Sequence, residues 1–345
     1  MNTEPNDTQD ISDAPVATDT PEAPDAPEAI TLTVTEAHAG KRLDRFLVDE
    51  LPQLSRARAR TLLDEGQVRV DGRRKRKGDV IAAGAVVVIL GALPPQDFTP
   101  LADASIEVVV RHEDPAVVVV DKPAGMATHP LRPDELGTLA NGLVVRFPET
   151  KTVGYRRREP GVLHRLDTDT SGLLIVARNA AAFDALRESM REGRTTKRYL
   201  ALVEGRIASE GSVELPLVPH RKDPKRVEVV TEHVRLRAGT KTHAAVTRYR
   251  PVRPLGDYTL VEVELESAFR HQVRAHLAAI GHPLVGDRLY RGPRLADDLG
   301  VTLERHFLHA SEVVFTHPVT GAETRVTSPL PDDLAAVVGK LRAAS

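Results

Sequence analysis

The sequence predicts a two-part α+β protein: a small α/β unit over residues 31–92, a linker over 93–104 and a larger mixed α+β domain over 105–345. Three observations carry this reading. The 345 residues exceed one ordinary domain and suit two. Leu93–Asp103, with Pro94, Pro95 and Pro100 and few apolar residues, reads as a linker. Beyond it, short apolar strands, two clear helices and many Gly/Pro turns follow one another without a fixed-period repeat.

Residues 1–30 precede both parts. They hold eight acids, five prolines and no Lys or Arg, and show no apolar period, so they cannot bury enough surface to offset their ordering entropy. A disordered acidic tail is expected there. The formal charge of −2 is then a sum of unlike parts, because residues 31–345 carry 47 basic against 41 acidic groups, or +6. The start is acidic and lacks an apolar segment, unlike a secretory or transit peptide. The apolar run Ala82–Leu93 is twelve residues, too short to cross a bilayer even with Val80 and Ile81 before it. A soluble, cytoplasmic protein without membrane contact is expected. Absence of cysteine removes disulfides, thiolate metal sites and cysteine nucleophiles. With 5 Tyr, 7 Phe and no Trp, binding of single strands on many aromatic platforms is disfavoured.

In the small unit, Leu43, Phe46, Leu47 and Leu51 recur at helical spacing. Ser55 can cap a second helix and Gly66 can end it. Val68-Arg69-Val70 alternates as a strand, Asp71-Gly72 signals a turn, and Val86–Leu90 reads as a further strand. Between Lys41 and Val80 lie twelve Lys/Arg against seven acids. Arg56, Arg58 and Arg60 at a helix start, and Arg73, Arg74, Lys75, Arg76 and Lys77 on a turn, are what phosphate contacts need; charge alone equally describes a solvated face.

In the large domain, polar residues lead through Thr170-Ser171-Gly172 into an apolar strand, Leu173–Ala177. Asn179 then caps a helix carrying Phe183, Leu186 and Met190, which Gly193 ends. Asp167 and Asp169 thus sit in a loop held by a core strand; function and a plain Asx-type turn are both open for them. Tyr199 alternates in a strand with Ala201 and Val203 on its face, either a core tyrosine or a site residue. Phe269–Ile280 reads as a helix with Val273, Leu277 and Ile280 on its apolar face and Arg274 on its flank, where a snorkelling surface arginine is the ordinary alternative. His271 and His276 are five apart, and no His-Glu-x-x-His occurs, so neither a metal nor a cofactor is expected.

Ordered motifs narrow these alternatives. Gly40-Lys41-Arg42-Leu43-Asp44-Arg45-Phe46-Leu47, Leu54-Ser55-Arg56-Ala57-Arg58 and Glu65-Gly66-Gln67-Val68-Arg69-Val70-Asp71-Gly72 resemble the S-four domain, the RNA-binding module of small-subunit ribosomal protein four. His164-Arg165-Leu166-Asp167 followed by Thr170-Ser171-Gly172-Leu173-Leu174 resembles the signature of the RluA-type RNA pseudouridine synthases. Asp121–Gly125, Thr128-His129-Pro130, Lys197–Ala201, His271–His276, Gly281–Asp287 and Pro329-Leu330-Pro331 extend that resemblance in order over more than two hundred residues. One segment departs from it: the usual Thr-Gly-Arg-x before His-Gln is Ser267-Ala268-Phe269-Arg270.

The resemblance implies a largely antiparallel sheet in the large domain and an enzyme that isomerises uridine in structured RNA. It implies Asp167 as catalytic aspartate, Arg274 as its partner and Tyr199 as the active-site tyrosine. Arg165 would fill the stack vacated by a flipped uridine, or contact phosphate. The isomerisation moves a sugar bond from a ring nitrogen to a ring carbon without redox, so one ionised carboxylate suffices, as nucleophile or as base. Ribosomal RNA of the large subunit is the first expected partner and transfer RNA the second, with the chain acting as a monomer. A non-catalytic ribosome assembly factor is the rival outside enzymes. A glycosidase using Asp167 and Asp169 is the rival within them.

Overall fold

The computed structural model describes residues 29–344 except 52, 53, 55, 77, 92–97, 222, 224, 235–238, 267 and 293–301, and the side chains of Arg56 and Ala57 also fall outside it. The acidic tail through residue 28, the Ser55 cap, Lys77, Ser267 and residues 93–97 of the linker therefore lie outside the described residues. Two compact units divide at residues 95 and 96.

The first unit forms from β1 (Ile30–Thr33), α1 (Leu43–Glu50), α2 (Arg56–Asp64), β2 (Val68–Val70), β3 (Arg73–Arg74) and β4 (Val86–Ile89). Leu43, Phe46 and Leu47 bury one stripe of α1 as their spacing dictates, and Leu62, Val68, Val87 and Ile89 join them in one core. Gly66 ends α2 at φ +75. The strands pair antiparallel in the order β1-β4-β2-β3. Two expectations need correction. Ile30, placed in the tail, opens β1 opposite Ile89, since its side chain and that of Leu32 pack on the core. Arg73 and Arg74, placed on a turn, form the edge strand β3, because Asp71-Gly72 already makes the tight turn with both residues at positive φ.

The second unit contains β5 (Val109–Glu113), β6 (Val117–Lys122), α3 (Leu139–Arg146), β7 (Ser171–Ala177), α4 (Ala180–Arg191), β8 (Thr195–Glu204), β9 (Gly211–Val213), β10 (Leu217–Pro219) and β11 (Val227–Val229). It continues with β12 (Thr247–Leu255), β13 (Tyr258–Leu265), α5 (Gln272–Ala279), β14 (Leu308–Thr316), β15 (Glu323–Thr327) and α6 (Asp332–Ala344). Its main sheet runs β5-β6-β7-β14-β8-β13-β12-β9, with β15 also on β14, and every pairing is antiparallel except β7–β14. The largely antiparallel α+β architecture is as expected, but four α-helices stand among the described residues of this unit where two were expected. The helix α3 contains Asn141-Gly142, a turn-like pair; here Asn141 completes a capping box with Thr138, and Gly142 lets the helix approach Ile106 and Val108, which a Cβ would meet at 2.7 and 2.9 Å.

β7 is buried along its whole length, which is why it reads as a continuous apolar run. Asn179 accepts the Ala182 amide at 2.9 Å and caps α4 as its position predicts. Alternation in β8 sends Tyr199, Ala201 and Val203 into the core under α5, and Arg198 to the opposite face. There, cross-strand ion pairs form a ladder: Arg198 to Glu264 at 2.9 Å and to Glu312, Arg250 to Glu262 at 2.8 Å, and Arg325 to Glu312 at 2.9 Å.

Gly172 opens β7 at φ +118 against the backbone of β14, and a Cβ would lie 2.3 Å from the Ala310 carbonyl oxygen. Gly172→Ala is therefore expected to lower the unfolding free energy by about 2–4 kcal/mol. Urea titration followed by circular dichroism checks this, and a loss below about 0.5 kcal/mol would contradict the close approach.

Candidate active site

The loop Leu166–Ser171 leads into β7 and is tied to its surroundings residue by residue. Leu166 is buried, and its carbonyl and amide both bond Thr128 Oγ1, at 2.9 and 3.2 Å. The Thr170 amide donates to the Asp167 carbonyl at 3.1 Å, closing a turn. Lys122 Nζ donates to the Thr168 carbonyl at 3.0 Å, and Arg305 Nη1 to the Asp169 carbonyl at 3.1 Å. Thr170 Oγ1 pairs with His306 Nε2 at 2.7 Å, and Ser171 Oγ with His309 Nδ1 at 3.0 Å. The main chain is thus held from outside while the Asp167 side chain points into a cleft.

That cleft, of about 40 Å³, is lined by Arg165, Asp167, Tyr199, Phe269, His271 and Leu308, among others. Arg274 Nη1 donates to Asp167 Oδ2 at 3.0 Å. Behind it, Arg274 Nε and Nη2 make a bidentate pair with Asp287, at 2.6 and 2.9 Å. Asp287 is 1% exposed and also accepts the Leu289 and Tyr290 amides at 3.1 and 3.2 Å. Burial by itself would lower the Arg274 pKa, but the hydrogen bonds and charges of Asp287 and Asp167 outweigh it and raise it, so the guanidinium stays charged. Burial likewise opposes ionisation of Asp287, and Arg274 reverses this, leaving its pKa below the usual value. Burial, then the Asp167 charge, pushes the Tyr199 phenol up, so it remains protonated and acts as a donor. Burial holds His271, 3.7 Å from Asp167, down to about 4 and therefore neutral at pH 7.

Asp167, Tyr199, Arg165 and Arg274 come together as the sequence reading expects. Arg274 differs in setting. It is 8% exposed, and Gln272–Leu277 are all buried, so it lies inside the unit and not on a helix flank. The helix also starts at Gln272 and not at Phe269, because His271 takes left-handed φ 54. Arg270 consequently precedes the helix and donates to the Arg226 carbonyl at 2.7 Å. Phe269, at the departure from the family pattern, stacks on His243 with centroids 4.2 Å apart while lining the cleft. Asp169 is exposed and does not line it, which removes the paired-carboxylate arrangement of a glycosidase.

Sequence reasoning missed Asp287 and Lys122 as site residues, although both lie in quoted motifs. An acid thirteen residues after an arginine carries no local signal; a lysine ending an apolar strand does. Lys122 is fully buried and spends its three protons on the Pro123, Met126 and Thr168 carbonyls at 2.7, 2.7 and 3.0 Å. Burial brings its pKa down to about 7, against the pull of Asp167 and Asp169.

In the first unit, Arg58 and Arg60 fall in the opening turns of α2, while Arg73 and Arg74 lie on β3 with Lys75 and Arg76 just after it. Arg74 also donates to the Asp64 carbonyl at the end of α2, so part of this basic surface is fixed by its own fold.

Comparison with known proteins decides the family. A curated protein of Chloroflexus aurantiacus, described as an uncharacterized RNA pseudouridine synthase, is 38% identical over 90% of this chain and 93% of its own length. This chain belongs to the RNA pseudouridine synthase family. The family pattern described as RNA pseudouridylate synthase matches residues 116–279, and that of the S4 domain matches 41–87. A protein of Xanthomonas campestris pv. campestris named ribosomal large subunit pseudouridine synthase D is 35% identical over 90% of this chain and 91% of its own. The solved structure of human RNA pseudouridylate synthase domain containing 4 shares the fold, with a TM-score of 0.52 at 23% identity over 68% of this chain and 93% of that one. Among the described residues of this pseudouridine synthase, no helix is long and apolar enough to cross a membrane.

Removing Asp287 leaves a buried guanidinium with half its partners. Asp287→Ala is expected to cost about 3–5 kcal/mol of stability, measured by urea unfolding, and to lower turnover with it. A loss under about 1 kcal/mol would contradict the pairing.

Lys122 has its own signature. Its folded pKa of about 7 lies below the unfolded lysine value, so the unfolded state binds more protons between pH 7 and about 10.4. Stability attributable to Lys122 rises with pH through that window, by at most about 1.4 kcal/mol per unit. Urea unfolding of the wild type and Lys122→Met across that window checks this, and parallel curves would contradict it.

Proposed function

We propose that this chain converts uridine to pseudouridine in ribosomal RNA of the large subunit, working as a cytoplasmic monomer with Asp167 as the reacting carboxylate. The observation that carries the proposal is the Arg274–Asp167 contact of 3.0 Å in a cleft that also holds Tyr199. The relatives named for the large ribosomal subunit support the choice of RNA.

In the reaction the bond from sugar C1′ to uracil N1 breaks, the base turns, C1′ joins C5, the C5 proton leaves and N1 takes one up. Nothing is oxidised, and no atom is gained or lost overall. Asp167 serves by adding covalently or by taking a sugar proton, and both routes need an ionised carboxylate aimed at the sugar. Arg274 fixes that aim by a charge-assisted hydrogen bond, with Asp287 fixing Arg274 in turn. Tyr199 offers its ring to the flipped base and its phenolic proton to the site. Arg165, at the cleft wall, takes the place of the extruded base or holds the backbone. Arg56, Arg58, Arg60, Arg73, Arg74, Lys75, Arg76 and Lys77 hold phosphates of folded RNA, positioning it without reading sequence.

Pseudouridine mapping in total RNA, with and without the gene, tests this. One or more large-subunit sites are expected to vanish on deletion and to return with the wild-type gene but not with Asp167→Asn, whose turnover falls at least about 10²–10⁴-fold. If no site vanishes, or Asn restores it, catalysis by Asp167 is wrong; if the lost sites lie in transfer RNA, the substrate assignment is wrong.

A further inference from the structure

A second cavity, of about 470 Å³, adjoins the cleft, and Arg165 lines both. Its wall includes Tyr155, Arg156, His164, Phe183 and Arg187. Tyr155 is 70% exposed, and among the large apolar side chains that stand exposed in the described residues it is the one aromatic. One exposed ring is ordinary by itself, but this one lines a cavity with Arg156, Arg165 and Arg187.

The ring is also held rigidly. Phe183 meets it edge-on with centroids 5.4 Å apart, and the Arg187 guanidinium lies 4.7 Å from its centroid. Its hydroxyl donates to Asp184 Oδ1 at 2.7 Å. The charge around it is positive: Arg156, Arg157 and Arg158 follow Tyr155 directly, and Arg165 and Arg187 face the same cavity. Glu159 is the acid in the lining, 3.4 Å from Arg156 and 3.6 Å from Arg158.

Two histidines complete the wall. Burial holds the pKa of both His129 and His164 down to about 3, so both rings are neutral at pH 7. The Ile175 amide donates to His164 Nε2 at 3.3 Å, and Arg165 Nη1 to His129 Nε2 at 3.3 Å. Each ring must therefore carry its hydrogen on Nδ1. Both Nδ1 atoms are buried and have no partner among the described residues.

We propose that this cavity is a second nucleotide site, which takes an unpaired nucleotide of the substrate RNA beside the uridine in the cleft. The base packs on the Tyr155–Arg187 platform, and the phosphate lies toward Arg156 and Arg165. A rigid aromatic, a stacked guanidinium and surplus cations are the groups that hold an unpaired nucleotide, since stacking needs a base face freed from its neighbours. This rests on the pseudouridylation reading and adds to it a selection rule: the modified uridine has an unpaired neighbour.

The test uses the full chain and a large-subunit ribosomal RNA transcript labelled with tritium at uridine C5, following tritium release and, by gel shift, Kd. Tyr155→Ala and Arg187→Ala are each expected to raise KM and Kd about 5- to 100-fold, with the loss carried by KM rather than kcat. Tyr155→Phe is expected to rescue most of the Tyr155→Ala defect, because the ring and not the hydroxyl does the stacking. Wild-type KM and Kd in both alanine variants, or a Tyr155→Phe defect as large as that of Tyr155→Ala, would overturn the site. If the wild type releases no tritium, the pseudouridylation reading fails, and the Kd comparison on the same transcript still decides this proposal.

Discussion

The second unit is organised around one guanidinium. Arg274 divides its donors between two carboxylates, Nε and Nη2 to Asp287 and Nη1 to Asp167. The bidentate half matters most for geometry, because a planar fork bound at two points has its third direction fixed. Asp287 therefore decides where Nη1 points, and Nη1 decides where Asp167 sits. Neither charge would be tolerable alone in such a setting, and together they are satisfied by each other and by the Leu289 and Tyr290 amides. The core under β8, β13 and α5 keeps these two segments and the Asp167 loop in register.

The loop is held by a complementary device. Thr128, Lys122 and Arg305 bind its carbonyls, and His306 and His309 bind its hydroxyls. All of these contacts leave the Asp167 carboxylate to Arg274 and to the cleft. The same division recurs at Tyr199, whose neighbours in β8 are fixed by strand pairing with β13 and β14. Backbone restraint on every side gives a preorganised carboxylate without a ring of side chains crowding it.

What could be read from the sequence follows from the range of the interaction responsible. α1, the cap at Asn179, the buried strand β7 and the inward face at Tyr199 are local patterns, and each stands where its pattern puts it. β1 and β3 are short, and pairing with β4 and β2 makes them strands. α3 hides behind an Asn-Gly pair whose meaning depends on Ile106 and Val108, more than thirty residues away. α6 was legible on Asp332, Asp333 and the spacing of Leu334, Val337 and Leu341, and the expectation of two helices undercounts it. In the site, the ordered motifs gave Asp167, Tyr199 and Arg274, whereas the roles of Asp287 and Lys122 arise only when distant segments meet. The Phe269 departure likewise acquires its meaning from a stacking partner, His243, that no spacing could name.

The ladder on the outer face of the main sheet has a consequence for how RNA arrives. Arg198, Arg250 and Arg325 each sit against glutamates, so their fields cancel within a few ångströms and little potential extends from that side. Tyr199 points to the opposite face of β8, toward the region where Arg165 and the Arg156–Arg158 run outnumber their acids. A polyanion nearing this unit therefore meets a dipolar body and feels a torque before it feels a contact. The glutamates of the silent face thus bear on encounter rather than on chemistry, by making one orientation of approach more frequent than its reverse.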